Sequence, residues 1–414
     1  MKKRKPLKIA VVVGVFPSVS EAFITNQLRF LVKSGHHVDI LATRHLDLDN
    51  PLCSSEAYNS LKTKARELSK TSLLSKSYFQ RLFKAFSILL KFRSSIHLLK
   101  AFNVFKYGSD ALNFNVFFKT YYKYYFNIYN YDVVHIHYGD NAVHLDSLIN
   151  NFKKSIVVTF HGYDAHKFEK SFYNLLSQRK DITITVNTNF TKSKVEKLGF
   201  DTFQINILPV GLDTNIFNPE KKDSKFDNIN ILFVGRLIEL KGPILAIKIV
   251  EKILEARDNV ILNIIGDGPM FSECESYIEI NNLTDRIHLL GSKSQSDIKY
   301  HMKNSDIFLF PGIVDGQGNS EAQGLVIQEA QAMQLPVVTS NVGGISDGLI
   351  DKKTGFIVEE SNVDTFVSKI VWLMDNPSIR KEMGEAGRQF VVRNYDSSIL
   401  GEKLLDIYYD SLKN

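Results

Sequence analysis

The pattern of apolar and polar positions divides the start of the chain into short strands and an amphipathic helix. Residues 9–13 form a β-branched run that predicts a strand. Apolar positions from Phe23 to Leu31 then recur at helical spacing up to Gly35, which predicts a helix with Ser20 as its candidate N-cap. "VDILA" begins a second strand. Strand, helix and strand in this order predict a βαβ unit and a parallel sheet.

The same alternation continues through both halves of the chain. Strands are predicted at 133–137, 156–160 and 183–186, and again at "INILFVG", "VILNIIG", "IHLLG", "DIFLFPG", "LPVVTS" and "GFIV". A helix is predicted at 243–256, where a proline stands near the first turn. The segment 209–228 is rich in Pro, Asn, Asp and Lys and is typical of a linker. We therefore predict the α/β class, with two Rossmann-like domains whose parallel sheets face each other across a cleft.

The length supports this division, because 414 residues exceed what one ordinary core covers. We place an N-terminal domain at 1–212, a C-terminal domain at 213–390, and a final helical stretch at 391–414 that crosses back to the first domain. Cys53 and Cys274 lie far apart in sequence, which argues against a disulfide framework and fits a reducing compartment.

The first twenty residues, "MKKRKPLKIAVVVGVFPSVS", imitate a signal peptide, but we interpret their apolar stretch as the first strand. No apolar run approaches the ~20 residues that span a bilayer. These features predict a cytoplasmic protein, peripheral on the inner face of the cell membrane if it binds the membrane at all.

Charge is concentrated in one segment of the N-terminal half. Residues 61–130 carry thirteen Lys and Arg against two Asp and Glu, and 17 of the 47 aromatic residues. Two hypotheses fit: an amphipathic helix on an anionic membrane surface, or a helical insertion that packs on the domain core and leaves a solvated basic face. Nucleic acid is not predicted as a partner, since no recognition module is visible.

Two loops in the C-terminal half carry residue types that suit a phosphorylated ligand. In "VGRLIELKG" a strand ends at Gly235, and Arg236 and Lys241 stand where parallel-sheet ligands bind, although both could equally be ordinary surface cations. In "EAQGLVIQEAQA" a helix predicted to begin near Leu325 would direct free N–H groups at a phosphate. Glu329 suits two vicinal ribose hydroxyls, whereas Glu321 precedes the helix and would contact another part of the ligand.

Histidines follow the strands of the N-terminal half. In "TFHGYD", His161 follows a strand and could donate to a ligand hydroxyl, although an isolated histidine is more often structural. In "VVHIHYGD", His135, His137 and Asp140 resemble metal ligands, but a further ligand at suitable spacing is missing, so no metal is predicted. Walker A and G-x-G-x-x-G motifs are absent from the sequence. "GDGP" at 266–269 borders a nucleobase or is simply a loop.

Taken in order, strand-plus-"GR", "KG", "IIGDGP" and the E-x7-E element resemble the retaining glycosyltransferases of family 4, which have the GT-B fold. "FPSVSEAFITNQLRFLVKSGHHV" and "DGQGNSEAQGLVIQEAQAMQLPVVTSNVGG" are similar to the colanic acid and exopolysaccharide branch. The resemblance covers nearly the whole chain. Ser346 and Asp347 depart from it, standing where relatives commonly carry Pro-Glu, and Gly14, Phe16 and Pro17 replace a Gly-Gly loop.

The resemblance implies transfer of a sugar from a UDP- or GDP-sugar to a glycan or lipid-linked oligosaccharide, without a metal or other cofactor. It implies that His161 and Glu321 are catalytic and contact the donor sugar, and that Asp315 and Gln317 line the same pocket. The remaining implied donor-binding residues are Gly235, Arg236, Lys241, Gly266, Gly324, Leu325, Val326 and Glu329. The implied acceptor-side residues are Ser20, Glu21, His137 and Asp140.

Retention through same-face attack guided by the leaving phosphate is the implied route, because the family lacks an evident enzymic nucleophile. Two other functions stay open from the sequence: a GT-B sugar-nucleotide epimerase, and a non-catalytic protein that binds sugar nucleotides. An acceptor-dependent product would exclude both.

Overall fold

The computed structural model describes residues 4–18, 21–46, 61–68, 77–92, 96–223 and 228–413. The chain divides into two compact units. Unit 1 comprises residues 1–186, 194–206 and 403–414, and unit 2 comprises residues 187–193 and 207–402. The predicted domain boundaries at 212 and 390 stay predictions. The assignment of the acceptor to the first domain and of the donor to the second also stays a prediction. Ser20 and Cys53 lie outside the described residues.

Unit 1 contains a seven-stranded sheet in the order β3-β2-β1-β4-β5-β6-β7. The strands are β1 (Lys8–Phe16), β2 (His37–Leu46), β3 (Ala65–Glu67), β4 (Val133–His137), β5 (Ser155–Phe160), β6 (Ile182–Val186) and β7 (Ile205–Ile207). β1 pairs in parallel with both β2 and β4, with Ile9 opposite Val38 and Val133. The central strands β4 and β5 are buried along their whole length, as expected for a parallel sheet covered on both faces.

Short helices cover this sheet. They are α1 (Ala22–Lys33), α2 (Tyr78–Lys91), α3 (Ile96–Lys100), α4 (Val104–Tyr107), α5 (Ser109–Leu112), α6 (Asn115–Lys123), α7 (Tyr125–Ile128), α8 (Gly139–His144), α9 (Asp146–Ile149), α10 (Tyr163–Lys167), α11 (Asn174–Ser177) and α12 (Asn189–Lys197). The end predicted for α1 is confirmed: Gly35 has φ +85°, its N–H donates to the Val32 carbonyl, and the His36 N–H donates to the Leu31 carbonyl. Glu21 occupies the N-cap position, and its side chain makes no capping hydrogen bond.

Unit 2 contains a six-stranded parallel sheet in the order β10-β9-β8-β11-β12-β13. The strands are β8 (Ile229–Val234), β9 (Val260–Ile265), β10 (Ile287–Leu289), β11 (Ile307–Phe310), β12 (Val337–Ser340) and β13 (Gly355–Val358). The helices are α13 (Pro243–Leu254), α14 (Phe271–Ile280), α15 (Gln295–Asn304), α16 (Leu325–Ala332), α17 (Val363–Asp375), α18 (Pro377–Asn394) and α19 (Ser397–Ser411). The predicted α/β class with two parallel sheets is confirmed.

The basic aromatic segment packs on the core in one part and exposes apolar side chains in another, and its binding to a membrane stays a prediction. Its later part packs into the core of unit 1, where Phe117, Phe118, Tyr121 and Phe126 are buried. Burying aromatic and aliphatic side chains of this size contributes about 1.5–3 kcal/mol each. Its earlier part, helix α2, is different, because several of its large apolar side chains are exposed.

Candidate functional site

The loops after β8 and β9 in unit 2 pack backbone against backbone. The Gly235 N–H donates to the Ile265 carbonyl at 3.0 Å. Gly266 has φ +151°, and a Cβ there would lie 1.8 Å from the Gly235 carbonyl oxygen. Only glycine is therefore accommodated at 266. The close approach fixes the loop that carries Arg236, whose side chain is exposed and forms no hydrogen bond or ion pair with any described residue.

Lys241 stands at the end of a short 3-10 helix, Glu239–Lys241, directly before α13. The next residue, Gly242, has φ +69°, and a Cβ there would lie 2.0 Å from the Pro311 carbonyl oxygen, so the turn is held against the end of β11. The Lys241 ammonium lies 5.4 Å from the centre of the Phe310 ring and forms an ion pair with the Glu321 carboxylate. Both side chains of the pair are about 15% exposed.

The loop that precedes α16 binds the Glu321 carboxylate on its other side. The Gly324 N–H donates to Oε1 of Glu321 at 3.2 Å. Burial alone would raise the pKa of Glu321, but the Lys241 ammonium and the N–H groups of Gln323 and Gly324 lower it below its ordinary value. Glu321 is therefore ionised at neutral pH and fixed by a cation and backbone dipoles.

Gly324 is the N-cap of α16, with φ +72°. The N–H groups of Leu325 and Val326 occupy the first turn, where a helix offers no internal acceptor. The chain thus presents two backbone donors immediately beside the Lys241–Glu321 pair. Such a helix end favours an anionic ligand.

Glu329 lies one turn further along α16 and differs from Glu321 in having no partner. No described residue forms a hydrogen bond or ion pair with its carboxylate, and it is partly buried. Burial raises the pKa of Glu329 to about 7. A carboxylate of this kind is suited to accept hydrogen bonds from hydroxyl groups of a ligand.

A glycine turn supports the Glu321 loop from behind. The Gly344 N–H donates to the Glu321 carbonyl at 2.8 Å, and a Cβ on Gly343 would lie 2.2 Å from the same oxygen. Ser346 and Asp347, which depart from the family pattern, follow this glycine turn. The Asp347 carboxylate accepts a hydrogen bond from the Asn189 N–H at 2.7 Å. Asn189 belongs to the part of α12 that lies in unit 2, so Asp347 has a structural contact within that unit.

Asp315 organises its own loop. Its carboxylate accepts from the N–H groups of Gln317 and Asn319, at 3.0 and 2.8 Å. Gln317 is exposed. The predicted placement of these residues in the donor pocket stays a prediction.

In unit 1, the carboxyl ends of β4 and β5 carry a histidine cluster formed by His135, His137 and His161. His135 is fully buried between Thr159 and Tyr408, with Nε2 2.6 Å from the threonine hydroxyl and Nδ1 2.7 Å from the tyrosine hydroxyl. Burial lowers the pKa of His135 to about 3. It is therefore a neutral structural histidine.

His137 and His161 are stacked, with ring centroids 5.2 Å apart, and Nδ1 of His137 lies 2.9 Å from Nε2 of His161. Burial lowers both pKa values, that of His161 to about 3. Nε2 of His137 is buried and has no partner among the described residues. A buried lone pair is tolerated at Nε2 of His137 better than an unmatched N–H, so we assign the His137 proton to Nδ1. Nδ1 of His137 then donates to Nε2 of His161, so the His161 proton lies on its own Nδ1. His161 is a neutral imidazole, and its proton lies on the nitrogen that faces away from His137.

Asp164 determines the backbone geometry around His161. Its carboxylate accepts from the N–H groups of His161, Gly162 and Gly139, at 2.9, 3.1 and 2.7 Å. The side chain is fully buried, and burial raises its pKa to about 7 despite these three donors. Asp164 was not predicted as a site residue, although an aspartate three residues after a strand-end histidine is the signal that could have identified it.

Glu21 and Tyr138 are connected to the histidine cluster. The Tyr138 hydroxyl donates to the Glu21 carboxylate at 2.9 Å, and the Tyr138 ring lies 4.6 Å from the His161 ring. Burial raises the pKa of Glu21, which the Tyr138 hydroxyl and Arg44 only partly oppose. Asp140, also predicted on the acceptor side, lies in the first turn of α8, and no described residue donates to its carboxylate.

The sequence-predicted residues thus form two groups, each within one unit. In unit 2, Glu321 contacts both Lys241 and Gly324, the N-cap of α16. The loops that carry Gly235 and Gly266 follow two strands of the same sheet. His137, His161 and Glu21 are linked in unit 1. Within the described residues, no group of three His, Cys, Asp or Glu side chains is arranged to hold a metal ion.

Comparisons with known proteins cover nearly the whole chain. Residues 20–216 match the family model described as Glycosyltransferase Family 4, and residues 215–390 match the model described as Glycosyl transferases group 1. The amylovoran biosynthesis glycosyltransferase of Erwinia amylovora is 25% identical over 97% of this chain and 99% of its own length.

Two solved structures share the fold. A glycosyltransferase from Rickettsia africae has a TM-score of 0.72 at 21% identity, covering 99% of this chain and 100% of its own. Anabaena HepE in complex with UDP and glucose has a TM-score of 0.68 at 13% identity, covering 97% of this chain and 99% of its own.

Proposed function

We propose a specific transfer reaction on the premise that this chain belongs to the glycosyltransferase family that the two matching family models describe. In this proposal the protein transfers a sugar from a UDP- or GDP-sugar to a growing glycan, with retention at the anomeric carbon. The chain is an enzyme of the glycosyltransferase class. The nucleotide, the acceptor, the stereochemistry and the residue roles belong to the proposal.

One observation carries the donor assignment: the buried Lys241–Glu321 pair stands beside the free N–H groups that open α16. An ammonium has three protons, so Lys241 can donate to a phosphate while it keeps Glu321 in place. Arg236, exposed and without a described partner, supplies a second cation. Together these groups would stabilise the negative charge that a nucleoside diphosphate gains as it leaves.

Glu329 completes this assignment on the nucleoside side. Its partnerless carboxylate would accept hydrogen bonds from the two vicinal hydroxyls of a ribose. Among the structural relatives, HepE was solved with UDP and glucose bound, which is consistent with a nucleoside diphosphate donor for this fold. Since UDP and GDP share the diphosphate and ribose that these residues would contact, both nucleotides are included in the proposal.

In the proposed step, an acceptor hydroxyl oxygen forms a bond to the anomeric carbon on the face from which the phosphate oxygen departs. The bond to the phosphate breaks with its electron pair, and the proton of the acceptor hydroxyl passes to the leaving phosphate. His161 would donate a hydrogen bond to the transferred sugar. Because its imidazole is neutral, it would act through an N–H dipole rather than through a full positive charge.

On the acceptor side we propose that Glu21, oriented by Tyr138, binds an acceptor hydroxyl. The Erwinia relative acts in amylovoran biosynthesis, which supports a polysaccharide or its lipid-linked precursor as the acceptor class. The cytoplasmic location stays a prediction. None of the helices in the described part of the chain is long and apolar enough to cross a bilayer.

The experiment that tests the proposal combines binding with product analysis. The protein is screened by thermal shift against a panel of UDP- and GDP-sugars, because a ligand that binds the native state raises the melting temperature. The sugar nucleotide with the largest shift is then incubated with a bacterial lipid-linked glycan extract. An acceptor-dependent, α-retained glycoside from an α-linked donor supports the proposal.

Two outcomes would contradict the transferase proposal and favour another function. Epimerised sugar nucleotide formed without acceptor would indicate the epimerase, and binding without any turnover would indicate a non-catalytic protein. The complete set of Lys241, Glu321 and Glu329 with His161 favours turnover, since a protein that only binds sugar nucleotides has no need of a fixed imidazole beside an acceptor carboxylate.

A further inference from the structure

Helix α2 of unit 1 exposes an apolar surface. We define the α2 face as Phe79, Leu82, Phe83, Phe86 and Leu90, of which Phe79 and Phe83 are 70% and 72% exposed. At 100° per residue these five side chains fall within an arc about 100° wide. A contiguous exposed apolar patch of this kind on a folded protein marks a surface that binds a partner or a membrane.

The orientation of α2 is fixed by its opposite side. Ala85 is buried, and Ile88, Leu89 and Phe92 pack against the core of unit 1. One apolar side of α2 therefore packs on the core of unit 1, and the α2 face is a second apolar side that remains exposed.

The first turn of α2 is also anchored. Arg81 donates to Oδ1 of Asn115 at 2.9 Å and to the Asn113 carbonyl at 3.3 Å, and the Tyr78 ring lies 5.8 Å from the Phe114 ring. Because Asn113, Phe114 and Asn115 contact this end of α2, the exposed Leu112, which directly precedes them, lies in the same region of the surface. The apolar surface thus extends beyond a single helix.

A cationic depression lies at the other end of α2. It has a volume of about 410 Å³, and its lining includes Lys8, Lys64, Arg66 and Lys91 around Tyr129. Lys91 is the last residue of α2, and its ammonium lies 5.3 Å from the Tyr129 ring. Asp39 is the acidic residue of this lining, and it pairs with Arg66. Among the described lining residues, three lysines are thus left without a carboxylate that balances their charge.

We propose that the α2 face inserts into the headgroup region of an anionic lipid bilayer, with the cationic depression binding lipid phosphates beside it. Phenylalanine and leucine side chains suit the boundary between headgroups and acyl chains, and lysines suit an anionic surface. This proposal adds a binding surface to the proposed transferase and does not depend on the donor or acceptor.

A lipid surface fits these charges better than a second copy of the chain does. The α2 helix contains Arg81, Lys84 and Lys91 and no acidic residue. These basic side chains lie outside the α2 face, but two copies that met through it would still bring two helices together that each carry three positive charges, whereas an anionic bilayer offers opposite charge to both the helix and the depression. The depression next to Lys91 extends the same preference.

Vesicle flotation of the full chain tests the apolar part. Phosphatidylcholine vesicles that contain phosphatidylglycerol are compared with pure phosphatidylcholine vesicles at low and moderate salt. The double substitution Phe79→Asp with Phe83→Asp should lower the vesicle-bound fraction at least about tenfold, because two charges would have to enter the headgroup boundary. The matched control, Leu175→Asp with Ile280→Asp, changes two exposed apolar residues elsewhere and should bind like the wild type.

A second pair tests the charge. Lys64→Glu with Lys91→Glu should reduce binding to the anionic vesicles about tenfold or more, and added salt should weaken wild-type binding in the same way. The control, Lys293→Glu with Lys353→Glu, makes the same change of net charge in unit 2.

The proposal is overturned if the wild type does not float with anionic vesicles at low salt, or if test and control variants lose binding equally. It is also overturned if the Phe79→Asp and Phe83→Asp changes instead dissociate a dimer, or abolish capture of an acidic protein partner without altering flotation. Nucleotide-induced thermal shifts measured on every variant report folding and the donor site separately, so failure of this proposal is distinguishable from failure of the transferase proposal.

Discussion

The histidine cluster of unit 1 and the charged residues of unit 2 differ in how far their polar groups are already bound by protein partners. In unit 1, His135, His161 and Asp164 are tied to protein partners and carry strongly shifted pKa values from burial. In unit 2, Arg236 and Glu329 have no described partner. Unit 1 therefore holds neutral imidazoles and a buried carboxyl group in a fixed geometry, while unit 2 presents charged groups that a ligand can pair with.

This difference predicts different consequences of mutation. Changes in unit 1 should affect turnover and packing and leave nucleotide binding nearly intact. Changes in unit 2 should affect nucleotide binding, turnover or both.

The largest effect is expected for Lys241→Ala. The substitution removes a cation from the proposed diphosphate site and leaves Glu321 buried without its partner, so transfer should fall about a thousandfold. Steady-state kinetics with the identified donor measure it. Lys248→Ala, an exposed lysine on α13, is the control. If Lys241→Ala transferred sugar at the wild-type rate, unit 2 would not be the donor site.

A smaller but more diagnostic effect is expected for His161→Ala. Transfer should fall about a hundredfold through loss of one fixed donor, while nucleotide affinity stays within about twofold. Calorimetry with UDP or GDP alone, beside transfer kinetics, separates the two quantities. The exposed His144→Ala should change neither. A large loss of nucleotide affinity in His161→Ala would break the proposed division between the units.

Glu329→Gln tests the partnerless carboxylate through pH. The folded-state pKa of Glu329 is raised to about 7 from 4.5, so its ionisation destabilises the fold progressively as pH rises above 4.5, with the full penalty above 7. Glutamine should therefore raise the free energy of unfolding at pH 8 by about 1–2 kcal/mol, and change it little near pH 4. Denaturant melts at both pH values measure this.

The same residue should make nucleotide binding depend on pH. If the ionised Glu329 carboxylate binds ribose hydroxyls, wild-type affinity should weaken as pH falls below 7 and level off about fivefold below its value at pH 8, because the neutral carboxyl group retains part of the hydrogen bonding. In Glu329→Gln that slope should disappear, and affinity at pH 8 should be about fivefold weaker than in the wild type. The exposed Glu255→Gln should retain the wild-type pH slope. An unchanged slope in Glu329→Gln would assign the pH dependence to another group.

The smallest effect is expected for Tyr138→Phe, which removes the hydrogen bond to Glu21 and preserves the ring beside His161. The KM for acceptor should rise about threefold to tenfold, and the nucleotide affinity should not change. Tyr163→Phe, on an exposed tyrosine, is the matched control. A change confined to nucleotide affinity would remove Glu21 from the acceptor side.

Sequence patterns were sufficient for the fold and for the family, both of which are confirmed. Long buried strands such as β4 and β5 and the proline at the start of α13 leave clear periodic signals. The motifs in unit 2 could also be located, because glycines at 266 and 324 mark backbone that must approach another chain segment or adopt positive φ. The predicted residue roles stay predictions.

The sequence could not predict which residues meet across strands. Lys241 and Glu321 are 80 residues apart, and each looked like a separate ligand contact until the loops after β8 and β11 brought them together. Asp164 was missed because its role depends on three N–H groups from two loops. For α2, periodicity alone could not distinguish the side that packs on the core from the side left exposed.

The end of the chain has a consequence for how this protein is made. Residues 397–402 of helix α19 belong to unit 2 and residues 403–411 to unit 1, where the Tyr408 hydroxyl forms a hydrogen bond with His135 of the histidine cluster. A ribosome thus finishes unit 2 before it supplies the last piece of unit 1. Expression of residues 1–206 alone would leave His135 without that hydroxyl and the sheet without its final helix, so the first half should be insoluble unless residues 403–413 are supplied as a separate peptide.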